Sequence, residues 1–501
     1  MRDDDVPFFE APPVAAPRVP TAEAPVPSVD FEGVASPHAG DPPPLSPDGL
    51  TTTGFFRIGP TSLRGLPKPL WILLGYLFLG HSAIDEEWPA IGAFHPRLLL
   101  GVLALCFVAP RVLSELSGRS GPRSEHASVS AWLVALTVAG VLATMWAFDP
   151  GLAKDAQIEH MTEILVYFLI VAIVRTRREV LVTVLVLSAG FGFYLLRSFT
   201  EYLAGKHQYT MGVSRMMGAG QSHSDPNSFA ATLAFTMPLL LWAAVHARSR
   251  FLQFCVLVYG LLSAACVIQT HSRSGLILVV LNVLFAFWML PGVKTRLAMA
   301  ALIVGLGAYL ATGQTDNALE RYESIVSSKT YTKESSTVGR IEGYRVAWRI
   351  FQDNPLFGVG PGCWSVYRKQ RVDGDPLYPH NMPGQLLATV GLAGVIAFVG
   401  YLVSVIAFTV GVRRRRAASL DPWDRAVRSL TWVTAFTIVL LLVSGTAAHN
   451  LERPAWYLLP ALLAVAARAR RLESETLPGS STPGASPGEP RSDGVGAQYF
   501  G

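Results

Sequence analysis

Charge is scarce in this sequence. Of its 501 residues 15% are Asp, Glu, Lys or Arg and 50% are hydrophobic, and the mean hydropathy is positive. That balance excludes an ordinary soluble domain, where about a quarter of residues are charged. Cysteine is scarce too. Cys106, Cys255, Cys266 and Cys363 are scattered, with neither metal-ligand spacing nor a disulfide framework, so they read as packing residues or spectators. No Gly-Lys-Ser/Thr phosphate loop is present, which argues against nucleotide-driven chemistry. The net charge of +5 is small, and its arginines fall in short loops between apolar runs, which excludes a nucleic-acid surface. Residues 1–66 are rich in Pro, Ala and acidic residues and lack the apolar stretch of a cleavable signal peptide. They are expected to form a disordered tail with some polyproline II character, and residues 473–501, rich in Ser, Gly and Pro, a second one.

What is abundant is apolar sequence in runs of about twenty residues, the length that crosses a bilayer as a helix. About twelve spans are expected, near 69–84, 93–110, 130–148, 158–174, 180–196, 229–246, 251–270, 275–291, 297–312, 385–411, 429–447 and 455–467. Basic residues follow every second span: Arg119 and Arg123; Arg175, Arg177 and Arg178; Arg248 and Arg250; Lys294 and Arg296; Arg413 to Arg416; Arg468, Arg470 and Arg471. By the positive-inside rule those loops and both termini are cytoplasmic. Loops 197–228 and 313–384 then face the other side, with the short loop 446–454, which contains His449-Asn450-Leu-Glu452-Arg453. The expected fold is all-α: a polytopic membrane helix bundle of about twelve transmembrane helices over residues 67–472, with a large helical loop outside the cytoplasm.

The polar residues of the outer loops carry the chemistry. In 313–384, Ile341, Tyr344, Trp348 and Phe351 recur at helical spacing, predicting an amphipathic helix on the membrane surface that Arg340 opens and Pro355 ends. Gly358, Gly360 and Gly362 around Pro361 mark tight turns. Loop 197–228 holds Arg215 and then Ser224-Asp225-Pro226-Asn227, a turn followed by a helix start. His271-Ser-Arg273-Ser-Gly275 closes the seventh span, and His380-Asn381 precedes Gly391-Leu-Ala-Gly394 by nine residues. Arg215, Arg273, Arg340 and His380 therefore share the non-cytoplasmic side. An arginine fork matches phosphate oxygens and stays charged at low dielectric. A neutral imidazole can take a proton from an attacking hydroxyl. Transfer of a sugar chain from a lipid diphosphate needs both. The competing structural readings are a helix cap for His380, headgroup anchors for Arg215 and Arg273, a structural role for His449-Asn450, and close helix contacts at Gly391 and Gly394.

Four segments together carry a resemblance over roughly residues 130–410: Arg215 to Ala230 ending in DPNSFA, HSRSG at 271–275, Arg340 through NPLFGVGPG at 354–362, and the His-Asn pair nine residues before GLAG. In this order they resemble the superfamily of bacterial O-antigen ligases and polymerases. The resemblance implies a GT-C-like ligase fold in the inner membrane, a site facing the periplasm, and a metal-independent glycosyltransferase without a cofactor. It implies that Arg215 and Arg340, with Arg273, bind the diphosphate of a glycan linked to undecaprenyl diphosphate. His380 would act as base or orient the acceptor, and Asn381 would fix the imidazole or a phosphate oxygen. Asp225, Asn227, Tyr344 and Glu452 are supporting candidates. The acceptor would be a lipid A-core sugar for a ligase, or a growing glycan for the alternative, a polymerase; membrane lipids complete the expected partners. Two positions depart from the pattern: Thr389 stands where many relatives have Glu, and Tyr344 where Trp is common. Glu452 is the candidate replacement for the missing carboxylate. A small-solute or anion transporter, a third class, is expected to show internal repeats and a mid-membrane site. No repeat between the halves stands out, and the candidate residues gather on one face.

Overall fold

The computed structural model describes residues 65–92, 94, 96–116, 125–210, 213–220, 224–246, 249–290, 292, 337–419, 421–448 and 450–476. In chain order these form α1 (Lys68–Ser82), α2 (Ile84–Glu87), α3 (Pro89–Gly92), α4 (Pro96–Leu116), α5 (Ala127–Met145), α6 (Pro150–Ile173), α7 (Arg177–Leu203), β1 (His207–Thr210), β2 (Val213–Met216), α8 (Pro226–His246), α9 (Arg250–Gln269) and α10 (Arg273–Met289). Then follow α11 (Thr337–Asp353), α12 (Trp364–Tyr367) with a π turn at Arg368–Val372, α13 (Met382–Arg415), α14 (Pro422–Gly445) and α15 (Ala455–Thr476).

Eight helical stretches among the described residues are long and apolar enough to cross a membrane, and two shorter apolar helices, Arg273–Met289 and Ala455–Ala469, accompany them. The protein is a polytopic helical membrane protein, as its hydropathy required. Eleven expected spans coincide with helices, although the first is only the 15 residues of α1. The expected span 297–312, loop residues 313–336, His449 and the loop residues Arg119, Arg123, Arg248, Lys294 and Arg296 lie outside the described residues, as do 1–64 and 477–501 of the expected tails. One detail departs from an all-α fold: β1 and β2 pair as an antiparallel hairpin with Gln208 opposite Arg215.

Helix starts follow local chemistry. Asp149 accepts from the amides of Gly151 and Leu152, at 3.0 and 3.1 Å, with Pro150 in the first turn. Thr176 and Glu179 form a capping box on α7, and Asp421 caps α14 ahead of Pro422. Each such cap satisfies amides that the helix leaves orphaned.

The caps and contacts sort the helix ends into two poles. At one, Trp242 near the end of α8 donates to the carbonyl of Ala426 in α14. There the basic residues dock on helix ends: Arg416 pairs with Asp424 and reaches the Ala467 carbonyl, while Arg468 donates to the Val171 and Val174 carbonyls. The starts of α6, α8, α10, α13 and α15 and the end of α14 form the other pole. Strong sequence segregation of charge thus becomes spatial segregation.

Helix α13 is broken in its first half. Gly391 has φ 66° and ψ −161°, which frees groups on either side of it. The carbonyls of Ala388 and Thr389 accept from the amides of Val359 and Gly360, at 2.9 and 3.0 Å. The amides of Leu392 and Ala393 donate to Pro355 and Leu356 carbonyls, at 2.9 and 3.1 Å. The NPLFGVGPG turn therefore fills the break. A Cβ on Gly391 would lie 2.6 Å from the Gly358 nitrogen and the Leu356 carbonyl, so the position demands glycine for space as well as for φ. Gly394 differs: a Cβ there would meet Val390 and Leu386 of its own helix, so no helix contact explains it. Beneath the break lies a small core of Ala153, Val346, Ala347, Ile350, Val359, Cys363, Trp364 and Ala388.

Gly391→Ala should therefore destabilise the protein by about 1–3 kcal/mol from the backbone alone, with steric cost added. Gly192→Ala, in α7 with open space around it, should be neutral or slightly stabilising. Thermal melting of both purified variants in detergent measures the contrast.

Candidate functional site

Arg215 sits on β2 and is 7% exposed. Its Nε donates to the Thr270 carbonyl at 2.8 Å and its Nη2 to Asn227 Oδ1 at 2.9 Å. It thus ties the start of α8 to the end of α9, just ahead of HSRSG. Asp225 caps α8, accepting from the amides of Asn227 and Ser228 at 3.0 and 3.3 Å. Burial pushes its carboxyl up, but those hydrogen bonds and nearby Arg453 outweigh burial and hold it below the usual carboxylate range. Arg273 opens α10, whose cap Ser272 accepts from the Gly275 amide at 3.2 Å. The geometry therefore gathers Arg215, Asp225 and Asn227 around one pair of helix starts.

The His-Asn pair begins α13. Asn381, not His380, is the cap: its Oδ1 accepts from the Gly384 amide at 2.7 Å, and the residue is 0% exposed. Its Nδ2 is buried without a hydrogen-bond partner. Gly343 of α11 packs against it; a Cβ on Gly343 would lie 3.1 Å from Nδ2. His380 is exposed. Asn381 is therefore placed to fix the backbone that carries His380, and its side-chain oxygen is already engaged as the cap. Arg340 falls in the first turn of α11, and its side chain lies outside the described residues. Ile341, Tyr344 and Trp348 form an exposed stripe on α11, while Val346, Ala347 and Ile350 face inward. Tyr344, at 40% exposed, thus belongs to the outer stripe of this helix.

Glu452 reaches the same first turn of α13. Gln385 Nε2 donates to Glu452 Oε1 at 3.1 Å and to the Tyr378 hydroxyl at 3.2 Å. Gln385 and Thr389 stand one turn apart on one helix face, and the Thr389 hydroxyl donates to the Gln385 carbonyl at 2.7 Å. The Glu452 carboxylate therefore approaches the helix face from which Thr389 projects. Burial raises the Glu452 carboxyl and Glu159 raises it further, against the opposing pull of Arg453 and Gln385. Next in sequence, Arg453 is 5% exposed and donates through Nη1 to Thr232 Oγ1 at 2.8 Å. Burial lowers its pKa, opposed by Asp225, Tyr194 and Glu452.

Sequence reasoning missed Arg453, Gln385 and Tyr378. For Arg453 the signal was present, since it is an arginine in an outer loop, the feature that singled out Arg215. Asn450, by contrast, has the structural role expected of it, buried and donating to the Leu441 carbonyl at 2.6 Å. Cys363 is buried, with its thiol on the Asp149 carbonyl at 3.3 Å. Among the described residues no group of three or more His, Cys, Asp or Glu is arranged to hold a metal ion.

Residues 258–399, from α9 through the broken half of α13, match the family described as O-Antigen ligase. The ligase match takes in HSRSG, α11, the NPLFGVGPG turn, His380 and both GLAG glycines; Arg215 and Glu452 lie outside it. The chain is also similar to "Teichuronic acid biosynthesis protein TuaE" of Bacillus subtilis (strain 168), 25% identical over 196 residues, 38% of this chain. That similarity spans 39% of the relative's length.

A pH dependence follows from Glu452. Its raised carboxyl favours the protonated form in the folded state, so its contribution to stability is complete below the unfolded carboxylate pKa and is lost as pH rises through the raised value. Glu452→Gln should remove that loss. Its melting temperature should exceed the wild type's at alkaline pH and converge with it in acid, as read by melting curves across the pH range.

Proposed function

We propose that the protein is a glycosyltransferase that moves a glycan from undecaprenyl diphosphate to an acceptor hydroxyl outside the cytoplasm. The carrying observation is the convergence at one pole of Arg215, the capped His380 segment and the Glu452-Arg453 loop, opposite the pole where the basic loops dock. In the proposed reaction the acceptor oxygen bonds to the anomeric carbon of the donor sugar, and the bond from that carbon to the diphosphate oxygen breaks. The electron pair leaves with undecaprenyl diphosphate, and the acceptor proton goes to His380. Arg215 and Arg340 stabilise the charge gathering on the leaving diphosphate, with Arg273 beside them at the start of α10. Asn381 sets the backbone of His380, and Glu452, held by Gln385, brings a carboxyl group to the helix face where Thr389 has none.

The inner membrane, with the site on the periplasmic face and both termini in the cytoplasm, is part of this reading, supported by the basic residues at the opposite pole. So is a surface-lying α11, whose exposed Ile341, Tyr344 and Trp348 suit the headgroup boundary. The ligase reading gives lipid A-core as acceptor and is supported by the family match. A polymerase that extends a growing glycan is the second reading. The observation that favours it is the relative named for teichuronic acid biosynthesis rather than for a ligase.

His380→Ala and Arg340→Ala should each lower transfer by about a hundredfold or more in a purified assay with lipid-linked donor. Near-normal transfer by both would place the reaction elsewhere. In cells lacking the protein, polymer retained on undecaprenyl carrier supports the ligase reading, and single lipid-linked repeats support the polymerase.

A further inference from the structure

A cavity of about 220 Å³ opens between the end of α1, the start of α15 and the middle turns of α6, α7 and α8. Its wall holds three carboxylates, Glu86, Glu159 and Glu163, together with Arg97, Arg453, His81 and Tyr194. Glu86 is committed to Arg97 at 2.7 Å. Glu159 and Glu163 make no hydrogen bond or salt bridge with other described residues. Tyr194 is 5% exposed, yet its hydroxyl has no hydrogen-bond partner. It lies within electrostatic reach of Arg453 and Glu86, both of them cavity residues. His81 repeats the pattern: Nδ1 lies 2.7 Å from the Leu77 carbonyl, and Nε2 is buried without a partner.

Buried polar groups are ordinarily satisfied, and each exception calls for a reason. The wall mixes acceptors, the two free carboxylates, with donors, the phenol and the guanidinium. An anion such as a diphosphate would face three carboxylates, and a cation would face the buried Arg453. A neutral ligand whose hydroxyls both donate and accept suits both halves of the wall. Phe191, Phe235, Leu239 and Leu458 add apolar surface for the carbon face of such a ligand. Drug-sized ligands occupy roughly 300–1,000 Å³, so this smaller space suits a single ring rather than a longer chain.

We propose that this cavity seats one sugar ring through its hydroxyls, next to the transfer site. The assignment deepens the glycosyl-transfer reading and rests on it. The ring belongs either to the donor glycan or to the acceptor; the recognition chemistry is the same.

The test uses the full-length protein in nanodiscs with two probes, N-acetylglucosamine as a neutral sugar and inorganic pyrophosphate as an anion. N-acetylglucosamine should raise the melting temperature of the wild type and fail to do so for Tyr194→Phe and Glu163→Gln. Pyrophosphate should protect these two variants as it protects the wild type and should lose its effect in Arg215→Gln. Tyr194→Phe removes a hydroxyl without a partner, so a loss of sugar protection in a variant that melts like the wild type is not a folding defect. In transfer assays the same substitutions should raise one KM by roughly three- to tenfold, the worth of one or two hydrogen bonds. A change in the donor KM assigns the ring to the donor, and a change in the acceptor KM assigns it to the acceptor. Equal sugar protection in wild type and variants, or none at all, overturns the cavity assignment. If that happens while His380→Ala still abolishes transfer, the transfer reading stands; normal transfer by His380→Ala with sugar protection intact overturns the transfer reading and leaves a sugar-binding cavity.

Discussion

The backbone exchange between the broken helix α13 and the NPLFGVGPG turn holds the rest in place. A transmembrane helix cannot leave carbonyls and amides unpaired in lipid, and the turn at 355–360 supplies the partners that Gly391 frees. Closure requires glycine on both sides of the contact, at Gly391 and at Gly358, where each backbone occupies the space of the other's Cβ. Because the turn also ends the segment that begins with α11, the exchange anchors α11 against Asn381 over the start of α13. His380 thus stands on a helix start held from three sides: by its cap, by Gly343 and by the small core around Trp364.

Electrostatics then give that pole its character. Five helix starts meet at this pole, their first-turn amides taken up by caps such as Asp149, Asp225, Ser272 and Asn381, and Arg215 and Arg453 add buried guanidinium charge. The carboxylates of Asp225 and Glu452 are engaged in caps and side-chain contacts. At the other pole the arginines sit on helix C-terminal carbonyls, where cations are favoured, as Arg468 does on Val174 at 2.8 Å.

Much of this was legible in the sequence, because lipid imposes a length and polarity that the pattern must obey. The spans, except for 297–312 outside the described residues, the helix start at Asp225 and the helix of Ile341 to Phe351 are all local signals, and the chain realises them. The glycine motif was also visible, but its partner was not: Gly391 meets Pro355 to Gly360 through a contact that no local pattern encodes. The same limit applied to Asn381. Its identity marked it as important, yet only the fold reveals that its oxygen is taken by the Gly384 amide. Arg453 was passed over because its neighbour Glu452 drew the argument, although its burial exceeds that of any carboxylate it approaches. The hairpin of β1 and β2 escaped notice because four-residue strands leave little periodicity to read.

The claim on which the account turns is that a diphosphate is held at the pole of His380 and Arg215. A cryo-electron microscopy map of the full-length protein in nanodiscs with undecaprenyl diphosphate tests it most directly. The account predicts diphosphate density against Arg215 and the start of α13, with the lipid tail running between helices from that pole. Density at the opposite pole, among Arg413 to Arg416, would contradict it.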